Sequence, residues 1–389
     1  MTSRARALAA AVLACAAVRG VEGIPMASAQ ARDEPPRLEK AERVVAVRGG
    51  GYFPVLIRLR DGRLAAVVRG GAPHLGIGGR LDWIESRDGG RTWSAPRPIV
   101  DSPVDDRNPA LGEMPDGSIA LAYAECSSYD ASGKWSPSPG GFRLFHTRSE
   151  DGGRTWSPKA PLDAGPIGED GSPYGRIVTL KDGTALLSVY GQRDPAYVGP
   201  VRLPEGAGPG LVGLLRSRDS GRTWGDFSLV SASGHNETTL LPMPDGALLA
   251  ALRTESGQVD RSCSDDGGRT WSAPRRVTGG PDGTLAQHPA DLIPLRGGDA
   301  LMVYGSRVPP YGAHALLVRD GGATWDYDHR VALGWTCSNT DCGYPSAVQL
   351  DDGTIVCLYY AVGTSDLLAT QQAIAVRFQP ADLSAAMGR

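Results

Sequence analysis

The chain has 389 residues, with 40 Lys and Arg against 43 Asp and Glu, so its formal net charge is −3. This near balance argues against a nucleic-acid partner, because proteins that bind phosphate backbones usually present a basic face. The 52 glycines and 30 prolines are typical of short strands joined by many turns. The length suffices for one large repeat domain with a substantial core.

Residues 1–31, at the N-terminus, are predicted to be a signal peptide. Two arginines precede the apolar run Ala7–Val18, which is too short to span a bilayer. Ala29-Gln30-Ala31 offers a small-x-small cleavage site, and Cys15 offers a lipid anchor as an alternative. We therefore expect a secreted or periplasmic protein without a membrane span, in which residues 32–41 form a loose lead-in.

Six apolar segments beyond the leader each contain a central turn and are predicted to form β-hairpins. Asp-Gly or Gly-Gly flanked by apolar runs is a strong hairpin signal. The turn glycines recur at intervals of 52 to 66 residues, at Gly62, Gly117, Gly183, Gly246, Gly298 and Gly353. A repeat of this period indicates one structural unit copied along the chain.

A second repeat follows each of the first five hairpins and has the pattern Ser-x-Asp-x-Gly-x-Thr-Trp. Its Asp can close a turn through backbone N–H groups, its Gly can take a positive φ, and its Trp supplies a buried anchor. Ligand or metal binding by these aspartates is the alternative, but five similar turns spread along one chain cannot all face one site. We interpret them as turn staples, at Ser86–Trp93, Ser149–Trp156, Ser217–Trp224, Ser264–Trp271 and, with Val in the first place, Val318–Trp325.

These two repeats together predict an all-β fold. Two hairpins per unit make a four-stranded sheet, and six such sheets make a six-bladed β-propeller, here over residues 42–380. The sixth unit lacks a Trp turn. Arg43–Arg48 and Ala373–Phe378 both have strand-like sequences, so we expect the two ends of the chain to complete that unit together. Residues 381–389 are left as a tail.

The hairpins also predict where a site would lie. Both ends of a hairpin lie at the same end of its sheet, and the innermost strands of a propeller converge on its axis. Apolar strands that end in Arg, Glu and Tyr therefore predict a polar pocket at one mouth of the channel. Counted from the turn glycines, the residues at this mouth are Phe53, Asn108, Tyr174, Glu237, Pro289 and Tyr344 before the turns, and Arg69, Glu125, Tyr190, Arg253, Arg307 and Tyr360 after them.

The cysteines allow one local cross-link. Export would permit disulfides, and Cys337 and Cys342 are close enough in sequence to staple one loop. Buried free thiols are the alternative. No spacing of Cys and His indicates a zinc site, so we expect no bound metal.

In its motifs the chain resembles the sialidase (neuraminidase) superfamily, whose fold is a six-bladed propeller. The Trp turns are similar to the Asp boxes of that superfamily. Asn236–Arg253 resembles the segment that supplies a catalytic Glu and, one hairpin later, a substrate-binding Arg. Tyr304–Arg307 resembles the segment with another Arg of a carboxylate-binding triad, and Gly343–Ser346 resembles the segment with a nucleophilic Tyr. The resemblance spans residues 42–379.

The resemblance implies an exo-α-sialidase, a glycoside hydrolase that removes terminal sialic acid or a related keto acid from sialylated glycans or glycoproteins with retention. Tyr344 would be the nucleophile and Glu237 its base, while Arg253 and Arg307 would bind the substrate carboxylate. No cofactor is implied, and we expect a monomer. The alternatives are a glycosidase or lyase for a different sugar and a non-catalytic glycan-binding propeller.

Two positions depart from the superfamily pattern. Tyr52-Phe53-Pro54 stands where the superfamily has Phe-Arg-Ile-Pro, so the first triad Arg is missing, and Tyr360 stands where a Glu is usual. Arg69 resembles another superfamily Arg and could compensate. The acid that protonates the leaving oxygen is expected at Asp82, with His74, otherwise a substrate contact, as the rival. Three more residues are expected to contact substrate because of their position near the mouth: Arg107, Arg176 and His288.

Overall fold

The computed structural model describes residues 34–137, 141–168, 170–277, 287–362, 371–386 and 388. The predicted signal peptide, with Cys15, and the side chain of His288 lie outside the described part of the chain. Of the predicted lead-in, Leu38 is buried, and its backbone N–H donates to the carbonyl of Ala332.

The described residues form short strands and one short helix. In chain order these are β1 (Glu42–Arg48), β2 (Tyr52–Arg58), β3 (Leu64–Gly70), β4 (Arg80–Ser86), β5 (Arg97–Val100), β6 (Asp105–Glu113), β7 (Ile119–Cys126), β8 (Phe142–Ser149), β9 (Ala160–Pro161), β10 (Ser172–Thr179), β11 (Ala185–Gln192), β12 (Gly210–Ser217), β13 (Gly225–Ser231), β14 (His235–Pro242), β15 (Leu248–Thr254), β16 (Val259–Ser264), β17 (Arg275–Arg276), β18 (Gln287–Pro294), β19 (Ala300–Ser306), β20 (Gly312–Arg319), β21 (Thr324–Trp325), β22 (Val331–Gly334), β23 (Cys342–Gln349), β24 (Ile355–Ala361), β25 (Gln372–Phe378) and α1 (Pro380–Ala386). The prediction of an all-β fold is confirmed.

Most strands pair antiparallel with their neighbours in the chain. Three sheets follow chain order: β2 to β5, β14 to β17, and β18 to β21 with β22 beside β20. Strands β6 to β13 form two four-stranded groups that join into one sheet, because β6 and β10 pair in parallel. The close approach of β6 to β10 requires a glycine at position 112, since a Cβ there would lie 2.5 Å from the Ile177 carbonyl oxygen.

The innermost strands form a ring. Strands β2, β6, β10, β14, β18 and β23 contact one another in that order, and β23 also contacts β2. The arrangement is therefore propeller-like, with the hairpin ends that were predicted to form the site gathered around one axis.

The two ends of the described chain meet in one sheet. β1 pairs antiparallel with β25, which continues through β24 to the innermost strand β23. Glu42 lies opposite Arg377 and Arg48 opposite Gln372. The predicted joining of the two chain ends is confirmed.

The Trp turns are stapled by their own side chains. In the first copy, Asp88 accepts hydrogen bonds from the Thr92 hydroxyl at 2.6 Å and the Thr92 N–H at 2.9 Å, and Ser86 bonds both Asp88 and the Gly90 N–H. Gly90 has a φ of +87°. The interpretation as turn staples is confirmed. The copy that begins with Val318 lacks the serine hydroxyl, and its turn is a 3-10 helix at Asp320–Gly322.

The apolar core lies between neighbouring sheets rather than on the axis. Val55 and Val67 of one sheet pack in a single cluster with Leu111 and Leu121 of the next. Burying one such side chain stabilises the fold by about 1.5–3 kcal/mol. These apolar contacts hold adjacent sheets together. The polar residues near the axis therefore do not have to contribute to the hydrophobic core.

Two further features bear on the sequence predictions. Cys342 is a free thiol whose S–H donates to the Ser306 carbonyl, so the Cys337–Cys342 disulfide is not formed. Among the described residues, no helix is long and apolar enough to cross a membrane.

Candidate active site

β-Bulges on the innermost strands position the site. The pairing of each innermost strand with its neighbour shifts register close to the end predicted to carry the pocket. Bulges of this kind re-aim side chains. At three of them a residue before proline takes a left-handed backbone: Phe53 with φ of 51°, Asn108 with 53° and Tyr344 with 49°. A conformation of this kind costs about 1–3 kcal/mol and clusters at functional sites.

The predicted ring of residues comes together. Five of the six positions counted before the turn glycines line one narrow cavity on the axis: Phe53, Asn108, Tyr174, Glu237 and Tyr344. The fixed distance from turn to strand end explains why counting along the sequence located them.

Tyr344 and Glu237 form the centre of the site. The Tyr344 hydroxyl donates to Glu237 Oε1 at 2.7 Å, and the hydroxyl of Tyr190 lies 3.5 Å from the same oxygen. Burial and the nearby Glu237 charge raise the pKa of Tyr344 well above its usual value. The phenol is therefore protonated at rest and is held directly against a group that can accept its proton.

Arg253 joins this pair from the end of β15. Its Nη1 donates to Glu237 Oε2 and lies 3.4 Å from the Tyr344 hydroxyl. Its Nε is buried and has no hydrogen-bond partner among the described residues. An unsatisfied buried donor is costly, so this N–H is available to an acceptor that enters the pocket.

Arg307 follows directly after β19 and acts on the same group of side chains. Its charge opposes the rise that burial causes in the pKa values of Tyr344 and Tyr360. It acts together with His74 to lower the pKa of Asp341. Two cations, Arg253 and Arg307, thus act on one tyrosine, which suits a site for an anionic ligand.

An aromatic wall stands where the superfamily pattern has its first arginine. The Phe53 ring packs against Tyr344, with centroids 4.8 Å apart, and against His74 at 5.0 Å. Tyr52 and Tyr360 complete this cluster. The Arg107 guanidinium lies 5.6 Å from the Phe53 centroid, and its buried Nε has no hydrogen-bond partner among the described residues.

His74 is paired with a residue that sequence reasoning missed. Its Nδ1 lies 2.6 Å from Asp341 Oδ1, and the same oxygen accepts a hydrogen bond from the Tyr360 hydroxyl at 2.9 Å. Burial lowers the pKa of His74 although Asp341 acts in the opposite direction. The available signal was the position of Asp341, three residues before Tyr344.

Arg69 does not face the pocket. Its side chain is fully buried in an ion pair with Asp105, at 2.6 Å from Nη2 to Oδ1. Its other donors bond the carbonyls of Ala72, Pro73 and Gly76 at 2.8 to 3.3 Å. These contacts fix the loop that carries His74, so Arg69 supports the site from behind instead of offering donors to a substrate.

Two other predicted residues lie apart from the Tyr344 cluster. Asp82 is on β4, the third strand of its sheet, where it pairs with Arg80 at 2.9 Å. No described contact links it to Tyr344, Glu237 or His74. Arg176 lines a separate cavity and reaches the Tyr344 cavity only through its ion-pair partner Asp291, which lines it.

Glu125 was also counted into the pocket and lies elsewhere. It pairs with Lys159 in a cavity on the outer side of β7 and β8. Counting from the turn glycine gives the height of a residue along its strand but not the face on which its side chain lies, which is why Glu125 was misplaced.

Comparison with known proteins gives a consistent relationship. Residues 104–357 match the family described as BNR repeat-like domain. A sialidase of Bacteroides fragilis is 23% identical over 306 residues, which cover 70% of this chain and 52% of that protein. A sialidase of Micromonospora viridifaciens is 30% identical over 200 residues, which cover 45% of this chain and 30% of that protein. The chain thus spans about half or less of the length of these relatives.

Solved structures share the fold. A protein of unknown function from Dyadobacter fermentans has a TM-score of 0.71 at 24% identity, covering 86% of this chain and 97% of that one. An intramolecular trans-sialidase from Ruminococcus gnavus, in complex with oseltamivir carboxylate, gives 0.65 at 15%, covering 88% and 98%. A Trypanosoma rangeli sialidase bound to 2,3-difluorosialic acid as a covalent intermediate gives 0.63 at 15%, covering 90% and 58%.

Proposed function

Because this chain belongs to the BNR repeat-like domain family, within the sialidase superfamily, we propose that it is a glycoside hydrolase of the exo-α-sialidase type. Its substrates would be sialylated glycans or glycoproteins, from which it removes a terminal sialic acid or a related keto acid with retention. The observation that carries the proposal is the 2.7 Å hydrogen bond from Tyr344 to Glu237 beside Arg253.

In the proposed reaction Tyr344 attacks the anomeric carbon. A carboxylate nucleophile would be repelled by the carboxylate that sialic acid carries on that carbon, and sialidases use tyrosine instead. A buried phenol needs a base, and Glu237 Oε1 accepts the hydrogen bond from Tyr344, so it can take the proton as the bond to carbon forms.

Two arginines would hold the substrate carboxylate. The buried Nε of Arg253 lacks a partner among the described residues, and Arg307 acts on the same tyrosine. Charge-assisted hydrogen bonds from guanidinium groups to a carboxylate are among the strongest that proteins make. Arg107, with a second unpartnered Nε beside Phe53, is a further donor on the side of the missing arginine.

The architecture proposed for the catalytic domain, residues 42–380, is a six-bladed propeller. The eight-stranded sheet would count as two blades, and the sheet that contains β1 and β25 would be the sixth. With residues 1–31 as a signal peptide, the protein would be secreted or periplasmic and would act as a monomer. Of the predicted tail, residues 381–386 belong to α1, whose Leu383 is fully buried in a core cluster, so they would form part of the packed domain.

A second function is favoured by one observation. Aligned on Pro54, Tyr52 occupies the position where the resemblance predicts an arginine, and the ring of the adjacent Phe53 packs directly on Tyr344. A weaker carboxylate clamp with an aromatic wall would suit a glycosidase or lyase that acts on a different sugar, neutral or uronic.

The test is the release of fluorophore from an α-ketoside of N-acetylneuraminic acid by the full-length protein. Wild type, Tyr344→Phe and Arg253→Ala are compared, with Tyr123→Phe as a control for a buried tyrosine in a different cavity. We expect turnover that is lost in the first two variants and kept in the control. Folded wild type that turns over aryl glycosides of other sugars but not this ketoside would favour the second function.

A further inference from the structure

His74 and Asp341 form a polar pair inside the aromatic wall of the site. The two groups are 267 residues apart in the chain and 2.6 Å apart in space. Because Asp341 accepts at Nδ1, the neutral ring carries its proton there and leaves Nε2 as the second functional nitrogen. Among the described residues, Nε2 has no hydrogen-bond partner.

The loop that carries His74 is held rigidly. Arg69 bonds the carbonyls of Ala72, Pro73 and Gly76, so the backbone is fixed on both sides of the histidine. The Gly76 N–H donates to the Tyr129 hydroxyl at 3.0 Å, and that hydroxyl donates to Asp105. A side chain fixed in this way is suited to transfer a proton at one defined point.

His74 also has a defined relation to the proposed nucleophile. The rings of His74 and Tyr344 both pack on Phe53, at 5.0 and 4.8 Å between centroids. The predicted carboxylic acid, Asp82, lies on another strand and is already paired with Arg80. His74 is thus a proton carrier beside the proposed nucleophile that is not committed to the Tyr344–Glu237 pair, and 16% of its side chain is exposed.

We propose that His74 is the acid/base group of this site and that Asp341 is the residue that positions it, in the manner of an Asp–His pair. This inference rests on the proposed function. The protonated ring donates from Nε2 to the leaving oxygen, while Asp341 holds Nδ1–H and thereby orients the ring.

The two half-reactions balance. In the first, the Tyr344 oxygen bonds to the anomeric carbon, the bond to the leaving oxygen breaks, that oxygen takes the Nε2 proton of His74, and Glu237 takes the phenol proton. In the second, the Tyr344–carbon bond breaks as a water oxygen bonds to the anomeric carbon. That water gives a proton to Nε2, and Tyr344 recovers its proton from Glu237.

The charges around His74 set the direction of its pH dependence. Asp341 favours the protonated ring, whereas burial and the charges of Arg107 and Arg307 disfavour it. Tyr52 and Tyr360 are the titratable aromatic neighbours, and burial raises the pKa values of both. Because the pKa of His74 is lowered from 6.5, its protonated form is lost below that pH, so kcat should already decline as the pH rises through the acid range toward 6.5.

The chain offers a matched control. His329 pairs with Asp326 at the same Nδ1–Oδ1 distance of 2.6 Å, but in a surface turn where 41% of the side chain is exposed. A third pair, His235 with Asp260, has both ring nitrogens engaged, by Ser231 and Asp260. The His74–Asp341 pair differs from both, because it lies among the rings of Phe53 and Tyr360 and its Nε2 has no hydrogen-bond partner among the described residues.

The experiment compares two ketosides of N-acetylneuraminic acid in the full-length protein. One has an acidic phenol as its leaving group, which departs without protonation, and the other has a sugar hydroxyl, which needs an acid. Wild type, His74→Gln, Asp341→Asn and the control His329→Gln are measured with both, together with their thermal melting.

We expect His74→Gln to lose about 10²–10⁴-fold in kcat on the sugar leaving group. The loss on the phenol should be much smaller, and added imidazole should restore part of the activity. Asp341→Asn should move the alkaline limb of the kcat profile to lower pH with KM unchanged, because the ring loses the carboxylate that favours its protonated form. His329→Gln should match wild type.

Equal losses on both substrates, or an unchanged alkaline limb in Asp341→Asn, would overturn the acid assignment while leaving the proposed function standing. Wild type that releases sugar from neither ketoside would overturn the proposed function, and the acid assignment with it.

Discussion

Two buried arginine–carboxylate pairs lie along the channel, and they differ in the other hydrogen bonds that their members make. In the first, Arg253 and Glu237 both contact the Tyr344 hydroxyl, and Arg253 keeps a buried N–H without a partner among the described residues. In the second, Arg176 pairs with Asp291 at 2.8 Å and also bonds the carbonyls of Leu292 and Ala347.

The second pair is saturated by the protein. Asp291 accepts from the Ala347 N–H at 2.9 Å and from the Ser346 hydroxyl at 3.2 Å, so little capacity remains for a ligand. The comparison teaches that residue type and burial do not distinguish a reactive pair from a structural one. What distinguishes them is the hydrogen-bonding capacity left over for a substrate.

Glu237→Gln should give the largest effect on activity. It removes the acceptor of the Tyr344 proton, so we expect kcat to fall by about 10²–10⁴-fold. Arg253 loses its buried counter-charge, but Gln keeps an oxygen that can accept its hydrogen bond, so the free energy of unfolding should fall by less than the loss of about 3–5 kcal/mol expected for a fully broken buried pair. Turnover with the fluorogenic ketoside and urea unfolding measure the two effects, and a large loss of stability would remove the contrast between the two pairs.

Arg176→Met should act in the opposite way. Asp291 would remain buried without its cation, so we expect the free energy of unfolding to fall by about 3–5 kcal/mol. The control is Arg58→Met, whose partner Asp351 is exposed, and it should cost at most about 1 kcal/mol. Urea unfolding compares the two variants. An Arg176 variant that is stable but inactive would place that arginine in the reaction.

A second histidine allows stability to be separated from activity. Burial lowers the pKa of His314 from 6.5 to about 4. Since the unfolded chain takes up this proton first, stability should fall as the pH drops from about 6.5 to 4, by about 3 kcal/mol in all. In His314→Phe this part of the pH dependence should disappear, whereas the pH profile of kcat should not change. Unfolding measured across this pH range tests the first statement and turnover the second.

Ser86→Ala should give the smallest effect. It removes the hydroxyl that bonds Asp88 and the Gly90 N–H in the first Trp turn, and a hydrogen bond of this kind contributes about 1 kcal/mol. Activity should not change, because the turn lies far from the Tyr344 cluster in the fold. A shift in melting temperature together with unchanged turnover would support the division between scaffold and site, and a loss of turnover would contradict it.

Sequence reasoning named most of the side chains that gather at the candidate site, His74 among them, but missed Asp341. Tyr344, Glu237 and Arg253 were predictable, because turns at a regular period fix the distance from each hairpin tip to the axis. Asp341 was not predictable, because its partner His74 is 267 residues away in the sequence and no local pattern indicates that contact. Asp82 was misplaced for a related reason: its strand is third in its sheet, away from the axis.

The pairing of β1 with β25 has a consequence for how the molecule forms. Glu42 and Arg377 lie opposite each other across 335 residues, so the last sheet cannot assemble until nearly the whole chain is present. Contacts so distant in sequence slow folding, because a long loop must close before they form. A chain released from its N-terminus by a ribosome or a translocation channel would therefore first form an open arc of sheets. The ring would close only when β25 emerges and pairs with β1.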